Sequence, residues 1–165
     1  MPDPTRRAVL LGAIATSATV VVDCSNSDQQ PEAIEIEPTA PPEPDPNVLD
    51  ELALIGAYTG AINAFPELRG TLGVIADQHR RHARELGATE AELAAITPIP
   101  PSATNIRPAV TELIKRERSA ANLRADSTAA AQDPEAVRAL TFIAASEASH
   151  VPELQDVRRA LKDGS

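Results

Sequence analysis

At 165 residues the chain is long enough for one domain with appendages, and with no Trp, one Tyr and two Phe its core must come from Ala, Leu, Ile and Val. Ala and Leu favour helix, whereas sheets draw on aromatic and β-branched residues, so the composition points to an all-α fold. The formal charge is −9, but residues 25–47 hold six acids and no base, which leaves sixteen acids against thirteen bases in residues 48–165; that near-balance, with no basic stripe, excludes a nucleic-acid-binding surface.

At the amino terminus, Thr5-Arg6-Arg7 precedes an apolar run from Ala8 to Val22. Paired arginines ahead of an Ala-rich run resemble a twin-arginine export signal. The run falls short of the roughly twenty residues that a transmembrane helix needs. An uncleaved amino-terminal anchor is the competing reading. Cys24, the one cysteine, follows the run and precedes Ser-Asn-Ser, a position that resembles the lipidated cysteine of a bacterial lipoprotein. Asp23 departs from the small residue expected before such a cysteine. Membrane attachment through a lipid on Cys24 therefore competes with cleavage nearby without lipid. A single cysteine cannot form an intramolecular disulfide, so the fold must hold without one. Residues 1–24 are thus expected to be an export signal, directing the protein to the cell envelope as a membrane-anchored lipoprotein or to secretion. Residues 25–46 contain six prolines and six acids and are expected to be an extended tether.

From Asn47 onward, four segments carry an apolar stripe at alternating spacings of three and four. The first, about 47–65, aligns Val48, Leu52, Ile55, Tyr58, Ile62 and Phe65, with Glu51 on the same face. The second, about 67–87, aligns Leu68, Leu72, Ile75, His79, His82 and Leu86, and Gly87 is placed to end it. Thr89 and Glu92 have capping-box spacing and predict a short extra turn, after which Pro98, Pro100 and Pro101 break the chain. The third, about 105–131, aligns Ile106, Val110, Leu113, Glu117, Ala120 and Arg124. The fourth opens at Pro134, a favourable first-turn residue, and aligns Leu140, Ile143, Glu147, His150, Leu154, Val157 and Leu161. Its stripe keeps phase past Pro152, which predicts a kinked continuation there. Two hairpins joined by a longer Pro-rich crossover predict an antiparallel four-helix bundle of the ferritin-like kind over residues 47–163.

The hairpins also repeat. His79 and His82 follow Pro66 by 13 and 16 residues, and Glu147 and His150 follow Pro134 by the same offsets. Glu51 lies 15 residues before Pro66 and Glu117 lies 17 before Pro134. At a rise of about 1.5 Å per residue, the six groups share one level of the bundle to within about one turn. All three histidines of the chain belong to this level. Ferritin-like carboxylate proteins take one Glu from each of two helices and a Glu-x-x-His from each of the other two, because carboxylates neutralise the cations while imidazole caps them. Glu147 and His150 fit the paired motif; Glu51 and Glu117 fit the single glutamates. The candidate metal ligands are therefore Glu51, His79, His82, Glu117, Glu147 and His150, for one or two ions of iron, manganese or zinc.

Residues 47–160 resemble the small ferritin-like domain of unknown function found in secreted bacterial proteins. The resemblance is carried by "ELALIGAYTGAINAFPELRGTLGVIADQHRRHARELGA" and "AVTELIKRERSAANLRA". It implies the fold more firmly than the chemistry, since members of the family often lack parts of the metal set. Tyr58 resembles the tyrosine often found beside such sites. His79 departs from the pattern, which wants a glutamate three residues before His82. One bridging carboxylate is lost, and the set becomes three Glu and three His. The competing reading is a metal-free bundle in which Arg124 neutralises the glutamates and the histidines are hydrogen-bonded, leaving a module that binds a protein partner. Arg80, Arg81 and Arg84, beside Asp77 and Glu85, read as a solvated helix face. A nucleophilic hydrolase finds no support, because no Gly-x-Ser-x-Gly elbow is present.

Overall fold

The computed structural model describes residues 45–161. The expected export signal with Cys24, and the expected tether up to residue 44, lie outside the described residues. The described chain is all-helical, with helices α1 (Pro46–Ala64), α2 (Arg69–Glu85), α3 (Glu90–Ala94), α4 (Ile106–Ala130) and α5 (Pro134–Ala160). A 3-10 turn at Pro66–Leu68 joins α1 to α2. No helix among the described residues is long and apolar enough to cross a membrane.

The helix ends follow the local chemistry. Asp45 caps α1 by accepting from the Asn47 amide, with Pro46 in the first turn. Asp133 caps α5 in the same way, accepting from Glu135 and Ala136 ahead of Pro134. Gly87 ends α2 with φ of 100°, and the amides of Gly87 and Ala88 return to the carbonyls of Arg84 and Ala83. That pair of bonds is a Schellman arrangement, and the left-handed φ is the reason glycine stands there. The predicted capping box forms between Thr89 and Glu92 and starts α3. Helix α5 runs on through Pro152 to Ala160 without a break.

The packing follows the stripes. Glu51, early in α1, meets His79 and His82, late in α2, so these two helices run antiparallel. Glu117 meets His150 and Arg124 meets Glu147, so α4 and α5 do likewise. Helix α1 also packs on α4, and α2 touches α5. The main apolar cluster gathers Leu54, Tyr58, Leu72, Ile75, Val110, Leu113 and Leu154. A smaller one, with Val48, Ile55, Ala83 and Ala88, lies toward the start of α1.

The crossover lies against α1 rather than looping free. The Ile99 amide donates to the Gly56 carbonyl at 2.8 Å. A Cβ at Gly60 would fall 1.9 Å from the Ile99 carbonyl oxygen, so glycine is needed for this close approach. Gly56 and Gly60, four residues apart, thus form a smooth strip on which the proline-rich segment rests.

Candidate metal centre

Glu51 on α1, His79 and His82 on α2, Glu117 and Arg124 on α4, and Glu147 and His150 on α5 converge in the interior. All except His82 are buried, with exposures of 0–1 %. Each sits there because its helix continues an apolar stripe on either side, which forces the polar group inward with its neighbours. Tyr58 joins them from α1. Eight of the nine residues singled out by sequence therefore meet, and the ninth, Cys24, lies outside the described residues.

His79 is the hub. Its Nδ1 lies 2.8 Å from Glu51 Oε2 and its Nε2 lies 2.9 Å from Glu117 Oε1. Burial opposes charge on this ring, but the carboxylates of Glu117 and Glu51 outweigh it and lift His79 to about 9. Burial likewise pulls Glu51 and Glu117 upward, yet the histidines beside them prevail and hold both at about 2. Tyr58 donates its hydroxyl to Glu117 Oε1. Burial, and then the Glu117 charge, raise the tyrosine well above its ordinary value, so it stays a donor.

His150 approaches Glu117 from the other side. Its Nδ1 is 3.1 Å from Glu117 Oε2, and its Nε2 meets the Gln78 side-chain oxygen. A neutral ring can donate to only one of these two oxygens, so the tautomer decides whether Nδ1 or Nε2 carries the proton. His82 Nδ1 stands 3.5 Å from Glu51 Oε1, an ion-pair distance without a hydrogen bond.

Glu147 differs from the other carboxylates. Neither of its oxygens has a hydrogen-bond partner, although the residue is fully buried. Burial lifts its carboxyl to about 8 against the opposing pull of Arg124, and the nearby Glu51 charge adds to the rise. Arg124, the expected neutraliser of the glutamates, sets its Nη2 3.2 Å from Glu51 Oε1, 3.5 Å from Glu147 Oε1 and 3.2 Å from Asp50 Oδ2. Asn47 accepts from Arg124 Nη1 and from Ser127.

The donor set fits a metal by its chemistry and by its loose ends. Two triads, Glu51–His79–His82 and His79–Glu117–His150, each offer three ligand atoms within 4.8 Å of one another. Imidazole and carboxylate together suit zinc, iron and manganese. A buried carboxylate without a hydrogen bond costs several kcal/mol unless it is protonated or meets a cation, and Glu147, which belongs to neither triad, has only the Arg124 guanidinium at 3.5 Å. His82 connects the cluster to the outside. It lines a cavity of about 230 Å³ between α2 and α5, walled also by Arg81, Glu85, Arg138, Phe142 and Ile143.

Gln78, Asn47, Asp50 and Ser127 escaped the sequence reading. Asn47 precedes Glu51 by four residues and Gln78 precedes His82 by four, so each shares a helix face with a ligand candidate. That spacing was the available signal. Arg80 and Arg84 do form exposed pairs, with Asp77 and Glu90 respectively. Comparisons with protein-family models, characterised proteins and solved structures found no match to this chain.

Proposed function

We propose that this chain is an exported, ferritin-like four-helix-bundle protein that holds one or two transition metal ions in its core. The observation that carries the reading is the buried meeting of three glutamates and three histidines, with the Glu147 carboxylate lacking any hydrogen-bond partner. Glu51, Glu117 and Glu147 would supply charge, and His79, His82 and His150 would supply imidazole. A bound ion there would act as a Lewis acid or as stored cargo. Tyr58 keeps one oxygen of Glu117 hydrogen-bonded, and Arg124 offsets part of the acid charge beside Glu51 and Glu147. Where the resembling family places a second bridging glutamate, this chain has His79. That substitution supports metal holding, in metal homeostasis or protection against oxidants, over oxygenation. The paired arginines and Cys24 support a place in the cell envelope.

The test is elemental analysis of the full chain purified from cells grown with iron, manganese and zinc. The expected result is about one or two equivalents of metal, lost in the Glu147→Ala, His150→Ala double variant while helicity by circular dichroism persists. Metal below about a tenth of an equivalent after reconstitution, with melting unmoved by added metal, would reject the reading.

One observation favours a second reading. Arg124 already pairs with Glu51, Glu147 and Asp50, and His79 lies between Glu51 and Glu117, so basic groups of the chain itself meet the buried acids. The protein would then be a metal-free envelope module binding a protein partner. The same melting experiment separates the two.

A further inference from the structure

The two triads share one residue, and they share it by opposite edges. His79 presents Nδ1 to Glu51 and Nε2 to Glu117. His82 flanks the first carboxylate and His150 the second. The His79 ring is fully buried, and the rings of Tyr58, His82 and His150 stand 5.3, 5.7 and 5.2 Å from it, centre to centre. It has no room to swing both nitrogens to one side, and a single ion can be reached by only one of them. Two ligand sets built around one ring therefore point to two ions rather than one.

We propose that His79 serves both triads at once, with Nδ1 completing a divalent-ion site of Glu51 and His82, and Nε2 completing a second site of Glu117 and His150. This deepens the metal-holding reading and rests on it. Both ring protons leave to solvent when the sites fill, and the ring then links the two sites as an imidazolate. Imidazole-rich sets of this kind favour zinc and copper over the iron that carboxylate-rich sets take. The glutamate expected at position 79 would instead join two ions through a carboxylate. The histidine keeps a shared ligand there while changing which ions suit it. Glu147 belongs to neither triad and faces Arg124 instead.

The chain suits a direct test because its three histidines all belong to the cluster. The untagged full chain carrying Cys24→Ser, so that no thiol competes, is loaded with Zn(II) or with Cu(II). The expected result is two ions per chain for either metal. In the copper form, low-temperature electron paramagnetic resonance should lose the signal of isolated Cu(II), because the shared ring couples the two spins. His79→Gln should retain at most one tightly held copper per chain, and its isolated signal should return. One ion per chain, or two with uncoupled spectra, would overturn the shared ring while leaving the metal-holding reading in place. No ion of either metal would overturn the shared ring, and the metal-holding reading falls with it only if iron and manganese also fail to bind. If His79→Gln does not fold, the stoichiometry and spectrum of the parent chain still decide.

Discussion

His79 and Glu147 occupy the same place in the two helical hairpins, thirteen residues beyond Pro66 and Pro134, yet their surroundings are opposite. His79 is held by a carboxylate on each side. Glu147 accepts no hydrogen bond and has only the Arg124 guanidinium, at 3.5 Å, as counter-charge. The first hairpin thus spends its histidine on neutralising acids from both halves, and the second leaves an acid to be neutralised. The difference teaches that geometric repetition and electrostatic repetition are separable. The helices repeat, because stripes and turns repeat; the charge does not, because His79 stands where the second hairpin has Glu147.

The largest expected effect comes from restoring that symmetry. His79→Glu would place a fourth carboxylate in a core whose ionised acids, Glu51 and Glu117, lean on the imidazole. Without metal this should cost about 3–5 kcal/mol, the usual penalty for breaking a buried ion pair and leaving charge uncompensated. Manganese or iron should return much of that loss, since two facing glutamates are what a carboxylate-bridged pair of ions requires. The measurement is urea unfolding with and without each metal. A loss below about 1 kcal/mol in the metal-free variant would mean that His79 is not the electrostatic hub.

A pH profile sharpens the comparison next. In the metal-free protein, Glu51 and Glu117 lie at about 2, below their ordinary range, so their contribution is full above about 4.5 and is lost as pH falls. His79, lifted to about 9, contributes fully below its ordinary 6.5 and loses that contribution as pH rises to 9. Glu147, lifted to about 8, costs nothing at low pH and an increasing amount from 4.5 to 8. Between 6.5 and 8 the folded state therefore holds more protons at both positions, and stability falls by about 1.4 kcal/mol per group per pH unit. The metal-free melting temperature should peak near pH 4.5, decline gently to 6.5 and more steeply beyond it. Added metal should reverse the alkaline slope, because ligation needs deprotonated groups. An alkaline slope that metal leaves unchanged would favour the self-neutralised core.

Much of the interior was legible because each buried polar group sits in phase with apolar neighbours. Leu72, Ile75 and His79 form one stripe, as do Ile143, Glu147 and His150, and all six are buried as the spacing predicts. The offsets from Pro66 and Pro134 placed the cluster at one level without any knowledge of contacts. Helix ends were legible where a single residue dictates the conformation, as at Gly87 and Asp133. Partner choice was not. Whether Arg124 turns to Glu117 on its own helix or to Glu51 and Glu147 across the interior depends on side-chain rotation, to which the stripe is indifferent. The seat of the crossover was hidden for a related reason. Gly56 and Gly60 look like weak points in α1 until the Ile99 carbonyl is found against them.

The smallest effect on stability should come from Gln78, and there stability and metal affinity are expected to part. Gln78 belongs to the first hairpin but fixes the ring of His150 in the second, through His150 Nε2. Gln78→Leu removes one half-buried hydrogen bond and should cost only about 1 kcal/mol of metal-free stability. If that bond serves to aim the Nδ1 lone pair of His150, its loss should lower zinc affinity by about 10–100-fold, the usual cost of losing the partner that orients a ligating histidine. Isothermal titration of the parent and variant chains gives the ratio, and thermal melting without metal gives the structural part. Equal small losses in both would make Gln78 a packing residue. A tenfold fall in affinity beside a near-unchanged melt would show that the first hairpin orients a ligand of the second, and hence that the two halves form one site despite their unequal charge.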